Sequence, residues 1–454
     1  MTAVPLPKGF QGLEDQPRFR ENLINLFNTG TGIIRTPSID LIGVGFGLCR
    51  GWGLFKGEAY FCSGERFIRV NSDDSIDDLG SMSGGDIVTM ASTANEMAII
   101  VRGGNSYVWD GTTLTDTTLN PNFEFYQDVS VVNQRAFYVP LNGGPIAFSE
   151  VNDLGTINAA NFIDAQLLPD NNVGCINYRN NMYILGEQSI EAFRPTGNAD
   201  IPIQRDEAGS IFDTGYVAGK VLYADTFAFL GRLRNGSFGF HVMGQGKCPR
   251  ISNPAVEEIL NEQYNVDELA ECVGMRYKWK GYEVILFTLQ RHTFCFSNGN
   301  WFFQESRISG ENVQSPWRGI HLVFAYGRYL IGDRFGANIG SLADGKADYN
   351  ENIEREIVTF VRVPRNEYFS LSTLTWDCLV GTGSAESDTI GISVSQDGLL
   401  YGPTIYRSLG TLGSYRKMVR WVMAGGFGTY ENFMGLRTRI TAQVDFAADA
   451  LQVD

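Results

Sequence analysis

Histidine is nearly missing from this chain, with only His241, His292 and His321 among 454 residues. None has a second ligand at metal spacing, so each reads as a packed or hydrogen-bonded histidine on a strand. No G-x-S-x-G elbow, H-E-x-x-H pair or phosphate-binding P-loop occurs, which removes the commonest hydrolase, zinc-protease and nucleotide-binding readings. Cysteine is sparse and unpaired in pattern. Seven residues lie at 49, 62, 175, 248, 272, 295 and 378 with no C-x-x-C, as expected of free thiols made in a reducing compartment. Basic residues fall short of acidic ones, 36 against 51, for a net charge of −15. Such a surface repels phosphate and argues against a dedicated DNA clamp, though not against a wall that DNA slides past. The start, Met1 to Lys8, lacks the apolar centre of a signal peptide, and no apolar run reaches membrane-spanning length. The expectation is a soluble protein made in the cytoplasm, with no membrane insertion.

What the chain has is β-sheet material: 30 Phe, 19 Tyr, and 52 Gly against only 15 Pro. Many tight turns follow from that ratio, rather than proline-rich linkers. Between Val217 and Gln304, short β-branched and aromatic runs are broken by Asp-Thr, Asn-Gly-Ser, Lys-Gly and Asn-Gly-Asn. These turns supply the positive-φ positions that hairpins need. The second half of the stretch reads as four strands, near 272–279, 282–289, 291–296 and 301–304, which is the content of a propeller blade.

The unit recurs. An apolar pair just after a tight turn appears as Ala59-Tyr60, Met97-Ala98, Ala136-Phe137, Met182-Tyr183, Ala228-Phe229, Val284-Ile285 and Tyr329-Leu330. Most steps are close to the roughly 40–50 residues of a four-stranded blade. The one long step holds Asn253 to Leu260, a predicted helix with Asn253 as its cap, Pro254 at its first position and Glu257 and Glu258 in its first turn. The expected fold is all-β. It comprises an N-terminal arm (1–40), a β-propeller of six or seven blades (41–350) and a β-sandwich-like domain (351–454). The arm either lies across the propeller or supplies a strand that closes the ring; a sharper alternative is that it reaches a neighbouring subunit.

Several local motifs have plain readings. Gly43 to Gly47 lacks dinucleotide-loop spacing and opens no helix, so it reads as a β connection. Asp73, Asp74, Asp77 and Asp78 crowd one loop without the ligand order of an EF-hand, so a solvated loop is expected rather than a calcium site. Trp109-Asp110-Gly111 reads as a hairpin turn. Ser395 to Tyr401 resembles one Asp-box turn of sialidase-like propellers, a structural motif in which Ser and Asp hold a hairpin. A carbohydrate-binding or glycoside-cleaving propeller is the enzymatic alternative; it needs two carboxylates about 5–10 Å apart, and no pair stands out. No catalytic residue, cofactor or metal is expected.

Three segments together resemble the packaged-DNA stabilisation proteins of short-tailed, Salmonella-type bacteriophages, which form the tail hub or nozzle. The first is Asn22-Leu-Ile-Asn-Leu with Arg35-Thr-Pro-Ser-Ile39, where Ser38 replaces the family's usual glycine. The second is Gly219 through Phe303, including the helix insert. The third is Ser393 to Gly402 followed by Arg416-Lys-Met-Val-Arg-Trp421 and Gly435 to Ile440. One departure is that Val422 to Gly428 follows the tryptophan, where the family continues with basic residues.

The resemblance implies a non-enzymatic virion part, assembled in the host cytoplasm. It would be a homo-hexameric ring below the portal, bound to a head-to-tail adaptor and to the tail needle, around passing double-stranded DNA that it does not read by sequence. A tailspike or tail fibre is a further partner the resemblance leaves open. Phe19, Leu23, Leu26 and Phe27 of the arm are candidates for intersubunit or adaptor contact, unless they cover the chain's own propeller edge. Arg416, Lys417, Arg420, Trp421, Arg437 and Arg439 form a basic and aromatic candidate group, unless they are ordinary alternating strand charges.

Overall fold

The computed structural model describes the chain except for residues 1, 5, 14–19, 118–124, 165–169, 199, 207–210, 308–313, 363–367, 371, 381–387, 410–416, 423–425, 429–432, 442, 443 and 454. Seven small antiparallel sheets follow one another from residue 49 to residue 343. Their innermost strands are Cys49–Phe55, Val88–Ser92, Tyr126–Val132, Asn172–Tyr178, Thr214–Tyr223, Val273–Trp279 and Gly319–Ala325. Each packs beside the next, and the seventh returns to the first. The result is a closed, seven-bladed propeller.

The recurring apolar pairs all lie on the second strand of a blade, from Glu58–Ser63 in blade one to Arg328–Asp333 in blade seven. In blades one, three, four, six and seven the preceding turn puts two consecutive residues at positive φ, as in Lys56-Gly57 (51° and 82°) and Lys280-Gly281 (48° and 88°). That is the mirror-image turn whose twist matches a hairpin. In blades four and seven the turn residues are Arg179-Asn180 and Tyr326-Gly327.

Glycine has a second use that the turn argument misses. A Cβ on Gly51 would fall 2.1 Å from the Val88 carbonyl, and one on Gly274 would fall 2.3 Å from the Gly219 carbonyl. Neighbouring innermost strands come too close at these points for any side chain.

Two blades are completed in unusual ways. Blade five has three strands, and the Pro254–Gln263 helix packs beside the outermost, Phe238–Val242. There the Asn261 side chain accepts from Phe238 N (2.9 Å) and donates to Phe238 O (3.1 Å), standing in for a strand partner. The helix starts as its sequence predicts, with Asn253 capping Val256 N and Pro254 at the first position. A second short helix, Val266–Ala270, opens on an Asn265–Glu268 capping box. Blade seven takes its outermost strand from the other end of the chain. Ser38–Val44 pairs antiparallel with Asn338–Ala343 and closes the ring.

The C-terminal part is a sandwich of two sheets, and the arm is woven into both. One sheet runs Leu26–Asn28, Gly32–Arg35, Val444–Val453, Thr373–Val380, Lys417–Val422. The other runs Arg20–Ile24, Arg355–Arg362, Phe433–Ile440, Thr389–Ser395, Ile405–Ser408, and is joined to blade six by a parallel bridge between Ile24 and Phe303. A single apolar cluster extends from the sandwich (Trp376, Trp421, Leu436) into blades six and seven (Tyr277, Trp317, Ile331). Propeller and sandwich therefore share a core.

Candidate interaction surfaces

The arm turns at Asn25, a residue at φ 58° whose amide does the work of several backbone partners. Its Nδ2 donates to the carbonyls of Glu305 (2.9 Å) and Glu354 (2.8 Å), and its Oδ1 accepts from Glu305 N (2.9 Å). Arm, blade six and sandwich meet there. Asn25→Ala is expected to lower unfolding free energy by about 2–4 kcal/mol, because buried backbone groups lose partners and alanine disfavours positive φ. Urea denaturation of the full chain checks this.

The Asn25 junction also gathers Glu305, Glu354 and Glu356. Arg439 Nε lies 3.3 Å from Glu354 and 3.0 Å from Glu356, while Arg307 pairs with Glu354 at 2.5 Å. Burial, then the charges of Glu356 and Glu354, push the Glu305 carboxyl up to about 7. A carboxyl raised in the folded state holds its proton more tightly there, so stability falls as pH climbs from the ordinary 4.5 to about 7. Glu305→Gln removes this loss. It should stabilise the protein on the order of 1–2 kcal/mol above ~pH 7, allowing for partial exposure, and by almost nothing near ~pH 4. Thermal unfolding across that range reads the difference.

Three of the four arm residues expected at a partner contact are covered by the chain itself. Leu23, Leu26 and Phe27 are fully buried in the shared core, Phe27 stacked on Phe302 at 5.4 Å. Phe19 lies outside the described residues, as does Arg416. The basic and aromatic group is divided among several roles. Trp421 is buried and donates to Ile405 O (2.8 Å), and Lys417 donates to Ser408 O (3.0 Å). Arg437 lies 4.4 Å over the Tyr401 ring, Arg439 belongs to the glutamate junction, and Arg420 is exposed.

Arginines of the chain pair with three of the acidic loop's four aspartates. Asp73 accepts from Ser75 N and Oγ (3.1 and 2.6 Å), Asp74 pairs with Arg328, Asp77 with Arg69 (2.8 Å), and Asp78 lies 3.5 Å from Arg66. Among the described residues no three His, Cys, Asp or Glu side chains converge on a metal position. The histidines are packed into the propeller. His241 stacks on Phe229, His292 meets Tyr264 Oη at 2.7 Å, and His321 is buried at a strand irregularity; burial depresses all three, His292 to about 4. The Asp-box-like turn is formed as read, with Asp397 Oδ1 accepting from Ser395 Oγ, Leu399 N and Leu400 N at 2.8–2.9 Å.

Two family descriptions match the chain in the order of its two folds. Bacteriophage P22 Gp10, beta-propeller, matches residues 13–347, and Bacteriophage P22 Gp10, beta-sandwich, matches residues 354–454. The chain belongs to the Bacteriophage P22 Gp10 family. A curated relative in this family is the tail hub protein gp10 of Salmonella phage P22, 22% identical over 400 residues, covering 83% of this chain and 82% of the relative. Solved structures resemble the chain more distantly. YCF48 from Cyanidioschyzon merolae aligns with 67% of the chain and 98% of its own length at 10% identity, with a TM-score of 0.39. The computationally designed Ika8 protein aligns with 68% of the chain and 100% of its own length at 8% identity, with a TM-score of 0.38. Neither likeness is close enough to argue from.

Proposed function

We propose that this protein is a structural component of a bacteriophage tail. In this reading it forms a hub or nozzle ring below the portal and adaptor that helps retain packaged double-stranded DNA and lines part of its exit path. The observation that carries the reading is the match of both domains, in order and over nearly the whole chain, to a family whose curated member is a tail hub protein. Six copies, an adaptor above and a needle below are the partners proposed. No catalytic role is assigned.

The physical chemistry supports a DNA path between copies rather than through one propeller. Lys220 on the innermost strand of blade five pairs with Asp128 on that of blade three and donates to Cys175 O of blade four (2.6 Å). One side chain thus spans three innermost strands, leaving no opening for a duplex whose major groove alone is about 12 Å wide. An acidic wall around a wider path lets DNA pass without the phosphate contacts that would hold it.

The test uses DNA-filled heads that carry portal and adaptor but lack this protein. Adding the purified chain is expected to lower the fraction of DNA open to nuclease and to leave a collar at the portal vertex. Heads that neither bind the chain nor gain protection would refute the reading.

A further inference from the structure

Large apolar side chains are exposed on innermost strands of the propeller, at the end where those strands turn back. Leu54 and Leu222 are each 41% exposed and Phe324 is 53% exposed. With Lys278 they hold equivalent places, two residues before the turn, paired with Ala59, Phe227, Tyr329 and Glu283 respectively. Each pair faces the preceding blade. Ala59 packs in a cluster with blade seven, and Phe227 in one with blade four. Glu283 accepts from Ala224 N of blade five (3.2 Å), and the Tyr329 hydroxyl accepts from Lys278 N of blade six (3.0 Å). The four positions therefore ring one mouth of the central channel.

One layer deeper the channel ends. Trp52, two residues before Leu54, is still 39% exposed, but Val129, Cys175 and Leu322 are buried. Lys220, joined to Asp128 and Cys175 O, crosses blades three to five at that depth. The mouth is thus a blind pocket with an indole on its blade-one wall. Its walls are held in place. Ser92 Oγ donates to Leu54 O (2.8 Å), Asn177 Nδ2 donates to Val131 O (2.7 Å), and the Phe324 ring lies 4.9 Å from that of Tyr329. Charge at the rim leans one way. Glu283 lies 3.3 Å from Arg276, Asp225 lies 3.5 Å from Arg179, and Asp128 holds Lys220, so these carboxylates are answered within the chain. Lys278 is exposed and enters no ion pair among the described residues.

A concave site walled by aromatic and aliphatic side chains, with a polar group placed at its edge, is the usual form of a binding pocket. We infer that this mouth binds an acidic peptide segment of a partner protein. A bulky apolar side chain enters between Leu54, Leu222 and Phe324 towards Trp52, and a neighbouring carboxylate meets Lys278, the charge complement of the rim. Nucleic acid fits less well. A duplex is too wide, and single strands need a groove of cations along the backbone, whereas the rim has one spare lysine. Nothing in this pocket depends on the chain's place in a tail, although a tail would supply partners.

Panning a library of random heptapeptides, blocked at both ends, against the immobilised full chain tests it. The enriched set is expected to carry Leu, Ile, Phe or Trp beside Asp or Glu. A fluorescein-labelled member of that set is then followed by anisotropy. It should bind about fivefold more weakly to Lys278→Glu, and about tenfold or more weakly to Leu222→Ser with Phe324→Ser. Lys278 is exposed, so thermal unfolding of its variant should stay close to wild type. Arg420→Glu makes the same charge change on the sandwich and should bind as the wild type does. A short oligothymidylate should not displace the peptide. No enrichment, a basic consensus, displacement by the oligonucleotide, or affinities that ignore Lys278→Glu and the serine pair would each overturn the inference. A wild type that binds the peptide yet fails to attach to heads sinks only the tail reading.

Discussion

Arg355→Ala is expected to destabilise the protein by about 3–5 kcal/mol, the usual cost of stranding one member of a buried charge group. Arg355 is wholly buried on the first sandwich strand, donates to Gly345 O (3.3 Å), and its charge acts on Asp344 and Asp348. Asp348 is the more exposed to its loss in energetic terms, because it is buried on the propeller side of the junction. It accepts from Ile39 N (3.0 Å), Ser306 Oγ (2.8 Å) and Trp317 Nε1 (3.1 Å), yet burial still lifts its carboxyl to about 6. Without the guanidinium that carboxyl must rise further. A raised carboxyl costs stability only as pH climbs past its unfolded value, so the variant should lose less at ~pH 5 than at ~pH 8. Urea unfolding at both values measures the difference; equal losses would mean that Arg355 acts by packing alone.

Ile39→Asp should be at least as damaging, with a loss above about 4 kcal/mol from burying an unpaired carboxylate. Ile39 is 1% exposed on the strand that closes blade seven, and its methyl groups lie against Gly319 and Gly340. The pattern of damage is as informative as its size. Hydrogen exchange should quicken first in Asn338–Ala343, whose outer partner is the Ile39 strand, before it quickens in blades two to four. Uniform quickening across all blades would show that ring closure is not a separate cooperative step.

These two residues also mark where the sequence stopped being readable. Local features were legible because their causes are local. The apolar pairs after turns located the second strand of every blade, Asn253 and Pro254 located a helix start, and Asp397 located a turn. Ring closure joins Ser38–Val44 to Asn338–Ala343, about 300 residues later, and nothing in either strand names its partner. Blade number was open between six and seven because no blade carries a strong repeat motif. The arm posed the same difficulty. Leu23, Leu26 and Phe27 are apolar enough to require cover, but a sequence does not say whether the cover is another subunit or the chain's own sandwich. Among the described members of the basic group, only Arg420 is fully exposed, because Trp421 fills the core and Arg439 answers two glutamates of the junction. The exposed Leu399–Leu400 pair was visible only as part of a turn motif, since exposure is a property of the fold.

The central claim is that this protein is built into a phage tail as a ring around the DNA path. Imaging the portal vertex of the parent virion, at a resolution that distinguishes propeller from sandwich, tests it most directly. The account predicts six copies in a ring below the adaptor, each with a seven-bladed propeller and its attached sandwich, and DNA density on the ring axis rather than within any propeller. A vertex whose ring is built from other folds, with this chain absent from the tail, would contradict it.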